Sequence, residues 1–195
     1  MLNSSVFCRD GEMSCASCAR KRKGTPAAFF AEALAASGNP EHWGPALWSI
    51  LHILANRCGR SGNLSLDLDE ARAFEFIIGN LPLILPCEEC SSHARIYIAG
   101  NPLRCSERKG GELAACIQTW LLNFHNAVRL RKHQAIEINT LEGLQAHYAG
   151  DAVDEGDMKV LTANVVFGVR TMLVKADNWK RWYTQFQKLR LVLGA

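Results

Sequence analysis

Two cysteines with two residues between them stand in the run Leu85-Pro86-Cys87-Glu88-Glu89-Cys90-Ser91-Ser92-His93. Such a pair can close a small disulfide ring, and a helical pattern follows it. If the helix starts at Cys87, its free backbone N–H groups and positive dipole end favour thiolate over thiol. Pro86 suits that start, because a helix N-terminus does not need the N–H that proline lacks. The same spacing also builds zinc half-sites, with His93 as a further ligand. Taken alone, the pair supports redox and metal chemistry equally.

The other cysteines weigh on that choice. Cys15 and Cys18 form a second C-x-x-C pair, while Cys8, Cys58, Cys105 and Cys116 stand singly. A zinc site needs four ligands, and the two pairs lie about seventy residues apart, separated by the basic run Arg20-Lys21-Arg22-Lys23. Cys58, Cys105 and Cys116 read as buried or structural thiols. Cys105 and Cys116 could close a short loop, though spacing does not set connectivity.

Helices must position these groups. Trp43, Leu47, Ile50, Leu51 and Leu54 recur at three- and four-residue steps and predict a helix over 41–57. A second is expected over 67–84, capped by Asp67 or Asp69. A third runs from 87 to 99, closed by Gly100-Asn101-Pro102, and a fourth from 112 to 131. Residues 141–148, 158–175 and 179–193 also read helical, as does a short stretch over 29–36. Four helices with short connections predict an all-α chain built on a four-helix bundle, with additional C-terminal helices.

Composition narrows the class. Hydrophobic residues at 48% and charged ones at 21% describe a globular chain. A net charge of +3 over 195 residues is too small to argue for nucleic acid. No signal peptide and no membrane-spanning run is expected.

Two further blocks flank the Cys87 pair. Upstream lies Trp43-Gly44-Pro45-Ala46-Leu47-Trp48-Ser49-Ile50-Leu51-His52, and downstream Trp120-Leu121-Leu122-Asn123-Phe124-His125-Asn126-Ala127-Val128. Trp48 and His52, four apart, share a helix face. His125 and Asn126 put polar groups where an ordinary core would avoid them. Together they suit a flat aromatic ligand held between helices. In their order and separation the three blocks resemble the Erv/ALR family of FAD-linked sulfhydryl oxidases, over roughly residues 41–132, and most of all its viral members. Those share the C-x-x-C-x-x-H pattern of Cys87, Cys90 and His93.

The resemblance implies a fold, a cofactor and roles. FAD would sit within the helical bundle, lined by Trp43, Gly44, Trp48, His52 and His93. His125, Asn126 and Val128 would hold its adenine and ribose end, with Lys132 near the phosphates. Cys87 would be the exposed interchange sulfur and Cys90 the one facing the flavin. Electrons would pass from protein thiols through Cys87–Cys90 to FAD and then O2, giving hydrogen peroxide, with no metal. Glu88 and Glu89 would keep the thiol pKa from falling too far. Cys15 and Cys18, on an N-terminal arm over 1–40, are candidates for a shuttle to the core pair. The oxidase domain would span 41–135 and a C-terminal helical extension 136–195. The extension's aromatic face (Trp179, Trp182, Tyr183, Phe186) would extend the bundle or serve a homodimer. The setting implied is the cytoplasm of an infected host cell or the virion, with the mitochondrial intermembrane space as the alternative. The chain departs from many relatives at Arg129, where they carry Asn, and at Pro45, where they carry Arg; no cysteine follows Cys116. A competing expectation, from another class, is a metal-stabilised helical interaction module without catalysis.

Overall fold

The computed structural model describes residues 36–150 and 152–195. Cys8, Cys15, Cys18 and nearly all of the helical stretch expected over 29–36 lie outside them. Among the described residues every regular element is helical: α1 (Pro40–Arg57), α2 (Leu64–Gly79), a 3-10 turn (Leu81–Leu83), α3 (Glu88–Gly100), α4 (Gly110–Arg131), α5 (Leu141–His147), α6 (Glu155–Arg170) and α7 (Ala176–Leu193).

Local chemistry sets the boundaries. Asn39 caps α1 by accepting the Glu41 N–H at 3.0 Å, and Pro40 occupies the first turn, where no N–H is needed. The second helix begins at Leu64, ahead of the expected Asp67, because Asn63 caps it through the Ser65 N–H. Asp67 turns inward instead and accepts the Gly110 N–H at 2.8 Å. That helix ends at Gly79, and Pro82 falls in the separate 3-10 turn. Asp154 caps α6 by accepting from Gly156 and Asp157, so the helix starts at Glu155. It stops at Arg170 rather than running to Lys175, because Met172 takes a left-handed φ of 63°.

Three carboxylates of α2 hold loops of the bundle. Besides Asp67, Glu70 accepts the Gly59 N–H at 2.7 Å, and Glu75 accepts the N–H groups of Cys105 and Ser106 at 2.8 and 3.0 Å. Gly59 has φ +72°, and a Cβ there would lie 2.0 Å from the Gly110 carbonyl oxygen, so only glycine fits this loop crossing. Cys105 and Cys116 form a disulfide across the α3–α4 connection, and Cys58 is a free, buried thiol. Burial, with Glu70 and Asp67 beside it, pushes the Cys58 thiol pKa well up, which keeps it protonated and inert.

A single core joins the bundle to the C-terminal helices. α1 packs on α4 and α6, α2 packs on α4 and α7, and α3 is held through the 3-10 turn. Trp182 and Phe186 of α7 are fully buried, and the Trp182 indole N–H donates to the Ile77 carbonyl at 3.0 Å. The aromatic face of α7 therefore packs within the chain against α2. No helix among the described residues is long and apolar enough to cross a membrane.

Candidate active site

Cys87 is the N-cap residue of α3, and its Sγ accepts the Cys90 N–H at 3.1 Å. Cys87 and Cys90 are joined as a disulfide, their Cα atoms 5.2 Å apart. Both are half-buried against the common core. The pair thus sits where backbone N–H groups converge and the helix dipole is positive, the arrangement that stabilises a thiolate when the bond opens. Glu89, on the first turn, is ion-paired with Arg131 at the end of α4 and lies 3.9 Å from His93 Nδ1. Its charge is therefore partly balanced by a cation.

Aromatic rings lead from this helix into the bundle. Tyr97, two turns beyond Cys90, stacks on Phe124 of α4 at 4.7 Å. Phe124 meets Trp48 of α1 edge-on at 5.3 Å. Trp48 stacks on His125 at 4.2 Å, with planes 6° apart. His52 Nε2 and His125 Nδ1 share a hydrogen bond at 3.3 Å, and Tyr148 stacks on His52 at 4.4 Å. Trp120 touches both Tyr97 and Phe124.

Electrostatics keep this cluster uncharged. Burial, then the neighbouring His125 and His147, lowers the His52 pKa to about 3. Burial, then the Arg129 guanidinium, lowers that of His125 to about 4. Both imidazoles are neutral near pH 7 and offer one donor and one acceptor each. Arg129 itself is held by Glu137 at 2.9 Å and by the Ala135 carbonyl.

Of the residues singled out in the sequence, Trp48, His52 and His125 come together directly. Trp43 is buried one turn before Trp48, its indole N–H 3.5 Å from the Gly38 carbonyl. Gly44 faces open space, with no atom within 4 Å of where a Cβ would stand. Val128 packs half-buried on the core. Asn126 donates to the Ile138 carbonyl at 2.9 Å and so pins the segment after α4. Lys132 lies exposed at the end of α4, away from the ring cluster's contacts. Trp120 and Phe124 belong to the downstream block but read as ordinary core positions within it, and Tyr97 and Tyr148 lie outside the three blocks. Among the described residues no three His, Cys, Asp or Glu side chains gather as a metal site.

The donor set fits a flavin. The Nδ1 atoms of His52 and His93 are buried without a hydrogen-bond partner among the described residues. A buried nitrogen left so is costly unless a ligand or water meets it. Flat rings, two unmet nitrogens and clearance over Gly44 suit a polar-edged aromatic ligand.

Known proteins are similar to this chain. Residues 45–145 match the model of the Erv1 / Alr family. The chain is 32% identical over 95 residues to an FAD-linked sulfhydryl oxidase of African swine fever virus (isolate Pig/Kenya/KEN-50/1950), covering 49% of this chain and 71% of the relative. It is 31% identical over 116 residues to the 096R protein of Invertebrate iridescent virus 3, covering 58% and 73%. Over 69 residues it is 33% identical to "Probable FAD-linked sulfhydryl oxidase OPG072" of Vaccinia virus (strain Copenhagen), covering 35% and 65%. No solved structure matches.

Proposed function

The chain belongs to the Erv1 / Alr family, and from that premise we propose that it is an FAD-linked sulfhydryl oxidase that forms disulfide bonds in protein thiols. The observation that carries the reading is a C-x-x-C disulfide whose first sulfur caps α3, with that helix continuous with the ring cluster of Trp48, His52 and His125.

The chemistry runs as follows. A client thiolate attacks Cys87 Sγ, and the Cys87–Cys90 bond breaks as a mixed disulfide forms. The second client thiol displaces Cys87, the client leaves oxidised, and the pair is left as a dithiol. The end of α3 and its N–H groups hold the Cys87 charge during exchange. Bound among the rings, FAD would take the electron pair from the dithiol and deliver it to O2, yielding hydrogen peroxide and restoring the disulfide. Trp48 and His125 would present flat apolar faces to it. His52 and His93 would offer their unmet Nδ1 atoms. Gly44 would leave clearance, and Asn126, Val128 and Lys132 would serve the far end of the cofactor.

Cys15 and Cys18 act in this reading as a shuttle from client to core pair. Support comes from where the arm is rooted: a Cβ on Gly38 would lie 2.7 Å from the Pro86 carbonyl oxygen, so the chain emerges beside Cys87. Cys18 precedes Gly38 by twenty residues (38 minus 18), a tether of root-mean-square span about 25 Å if unstructured. Viral relatives support action in the cytoplasm of an infected cell or in the virion. A homodimer is part of the same proposal, and exposed Leu64, Leu66, Leu191 and Val192 supply apolar surface for it.

An absorption spectrum of the purified protein tests the function. A flavin band near about 450 nm, bleached by anaerobic dithiothreitol in the wild type but not in Cys87→Ser, is the expected result. A folded but colourless protein that takes up no oxygen would overturn it.

A further inference from the structure

We propose that the turn between α6 and α7 is a docking lip for protein clients, seating the apolar residues that flank a client's cysteines beside Cys87. The proposal rests on the reading of the chain as a sulfhydryl oxidase and names what the C-terminal helices add to it. The occupant is a reduced, extended segment of a client protein.

The turn is anchored next to the redox pair. A Cβ on Gly168 would lie 2.8 Å from Pro86 Cβ and 2.9 Å from Val174 Cγ2. The end of α6, the turn after it and the residue before Cys87 therefore meet at one point. Val174 closes the turn: it is 2% exposed, and its N–H donates to the Gly168 carbonyl at 3.0 Å. The two residues before this buried anchor are open to solvent, Met172 at 92% and Leu173 at 48%. Leu83, 39% exposed, adds a third apolar side chain. It lies in the 3-10 turn, which touches both α3 and α7. The neighbouring Pro82 carbonyl accepts the Ser91 hydroxyl of α3 at 2.6 Å. Exposed Thr171 and Lys175 give this apolar centre a polar rim.

The backbone singles out Met172. Its φ of 63° is in the left-handed region, which is unfavourable for a residue with a Cβ. Glycine or asparagine ordinarily takes such a position after a helix. The other non-glycine residue with positive φ among the described residues is His133, a type that tolerates the region better. Folding alone would favour glycine at 172, and among the described residues the Met172 side chain packs on almost nothing in return. Strain kept without a packing gain points to a contact made with another molecule. Methionine is flexible and polarisable, and it serves surfaces that accept many sequences. Clients of a thiol oxidase share a cysteine and little else. A client seated for attack on Cys87 Sγ brings its flanking residues over this surface.

Turnover of two reduced peptides tests the proposal. Both carry the same cysteine pair, flanked by leucine and phenylalanine in one and by serine and glycine in the other. On the full chain with its FAD, the apolar peptide should show a KM about tenfold lower, with kcat similar. Met172→Gly should erase most of that difference while keeping the thermal midpoint, because glycine accepts the left-handed turn. Leu173→Asp, at an exposed position, should do the same and decides the matter should Met172→Gly disturb the turn. Equal KM values in the wild type, or a difference that survives both substitutions, overturn the docking lip and leave the oxidase reading in place. Failure of the wild type to oxidise either peptide overturns both. A preference that fades as enzyme concentration rises assigns the surface to a second copy of the chain and overturns the proposal as well.

Discussion

The imidazole of His125 lies flat on the indole of Trp48, with centroids 4.2 Å apart and planes tilted by only 6°. The contact joins α4 to α1 through two rings, one of which must stay neutral to remain there. His52, hydrogen-bonded to His125, is under the same constraint. Protonation therefore opposes this packing.

The sign follows from proton counting. Unfolded histidines titrate near 6.5, while His52 and His125 in the fold titrate at about 3 and about 4. Between those values the unfolded chain binds more protons, so stability rises with pH. Their contribution is complete above pH 6.5 and fades as pH falls toward 4. A thermal midpoint measured from pH 7.5 to 4.5 should drop more steeply in the wild type than in His125→Phe, which keeps a ring and cannot protonate. Parallel profiles would refute this.

Cys87→Ser should abolish thiol oxidation without unfolding α3. Serine is a strong N-cap residue and replaces the sulfur as acceptor for the Cys90 N–H. Oxygen consumption with dithiothreitol should fall to background, with the helical circular dichroism unchanged. Retained turnover would remove the assignment of the pair.

Replacing Cys15 and Cys18 by serine should separate two substrates. Small thiols reach Cys87 directly, so dithiothreitol oxidation should persist, while oxidation of a reduced protein client should slow. Equal rates on both substrates would dismiss the shuttle.

Trp182→Ala removes a fully buried ring and leaves the Ile77 carbonyl without its donor. A loss of about 3–5 kcal/mol is expected, read as a lowered denaturant midpoint. A loss below about 1 kcal/mol would mean that α7 contributes little to the core.

The Cys105–Cys116 bridge closes a loop with a sequence separation of 11. Its removal by double alanine substitution should cost about 3 kcal/mol through loop entropy. Glu75 still holds the loop by two N–H groups, so turnover at Cys87 should be unchanged. A parallel loss of turnover would give the bridge a catalytic part.

Legibility in the sequence followed how local each signal was. The start of α3 at Cys87 was readable because Pro86, the acidic first turn and the apolar spacing all lie within a few residues. Trp48 and His52 alone read as core; they were legible through the polar His125-Asn126 on the facing helix and through the family resemblance of the blocks that carry them. Tyr97 and Phe124 were not, since an aromatic ring at helical spacing reads as core whether or not it lines a site. Asp67 looked like a cap because Asp favours that role; its actual partner, Gly110, is 43 residues away. For α7 the sequence left two expectations, extension of the bundle or a homodimer surface, because amphipathicity marks a buried face without naming what covers it.

One sulfur has two duties in this fold. Cys87 Sγ accepts a backbone hydrogen bond that begins α3, and the same atom is the one a thiol would attack. A thiolate accepts such a bond more strongly than a disulfide sulfur does. Reduction therefore tightens the helix start, and by the closed thermodynamic cycle the helix start draws the pair toward the dithiol. Conformational stability and electron affinity become two readings of one free-energy difference. A change anywhere that loosens α3, even far from sulfur, should register as a change in the voltage at which the pair accepts electrons.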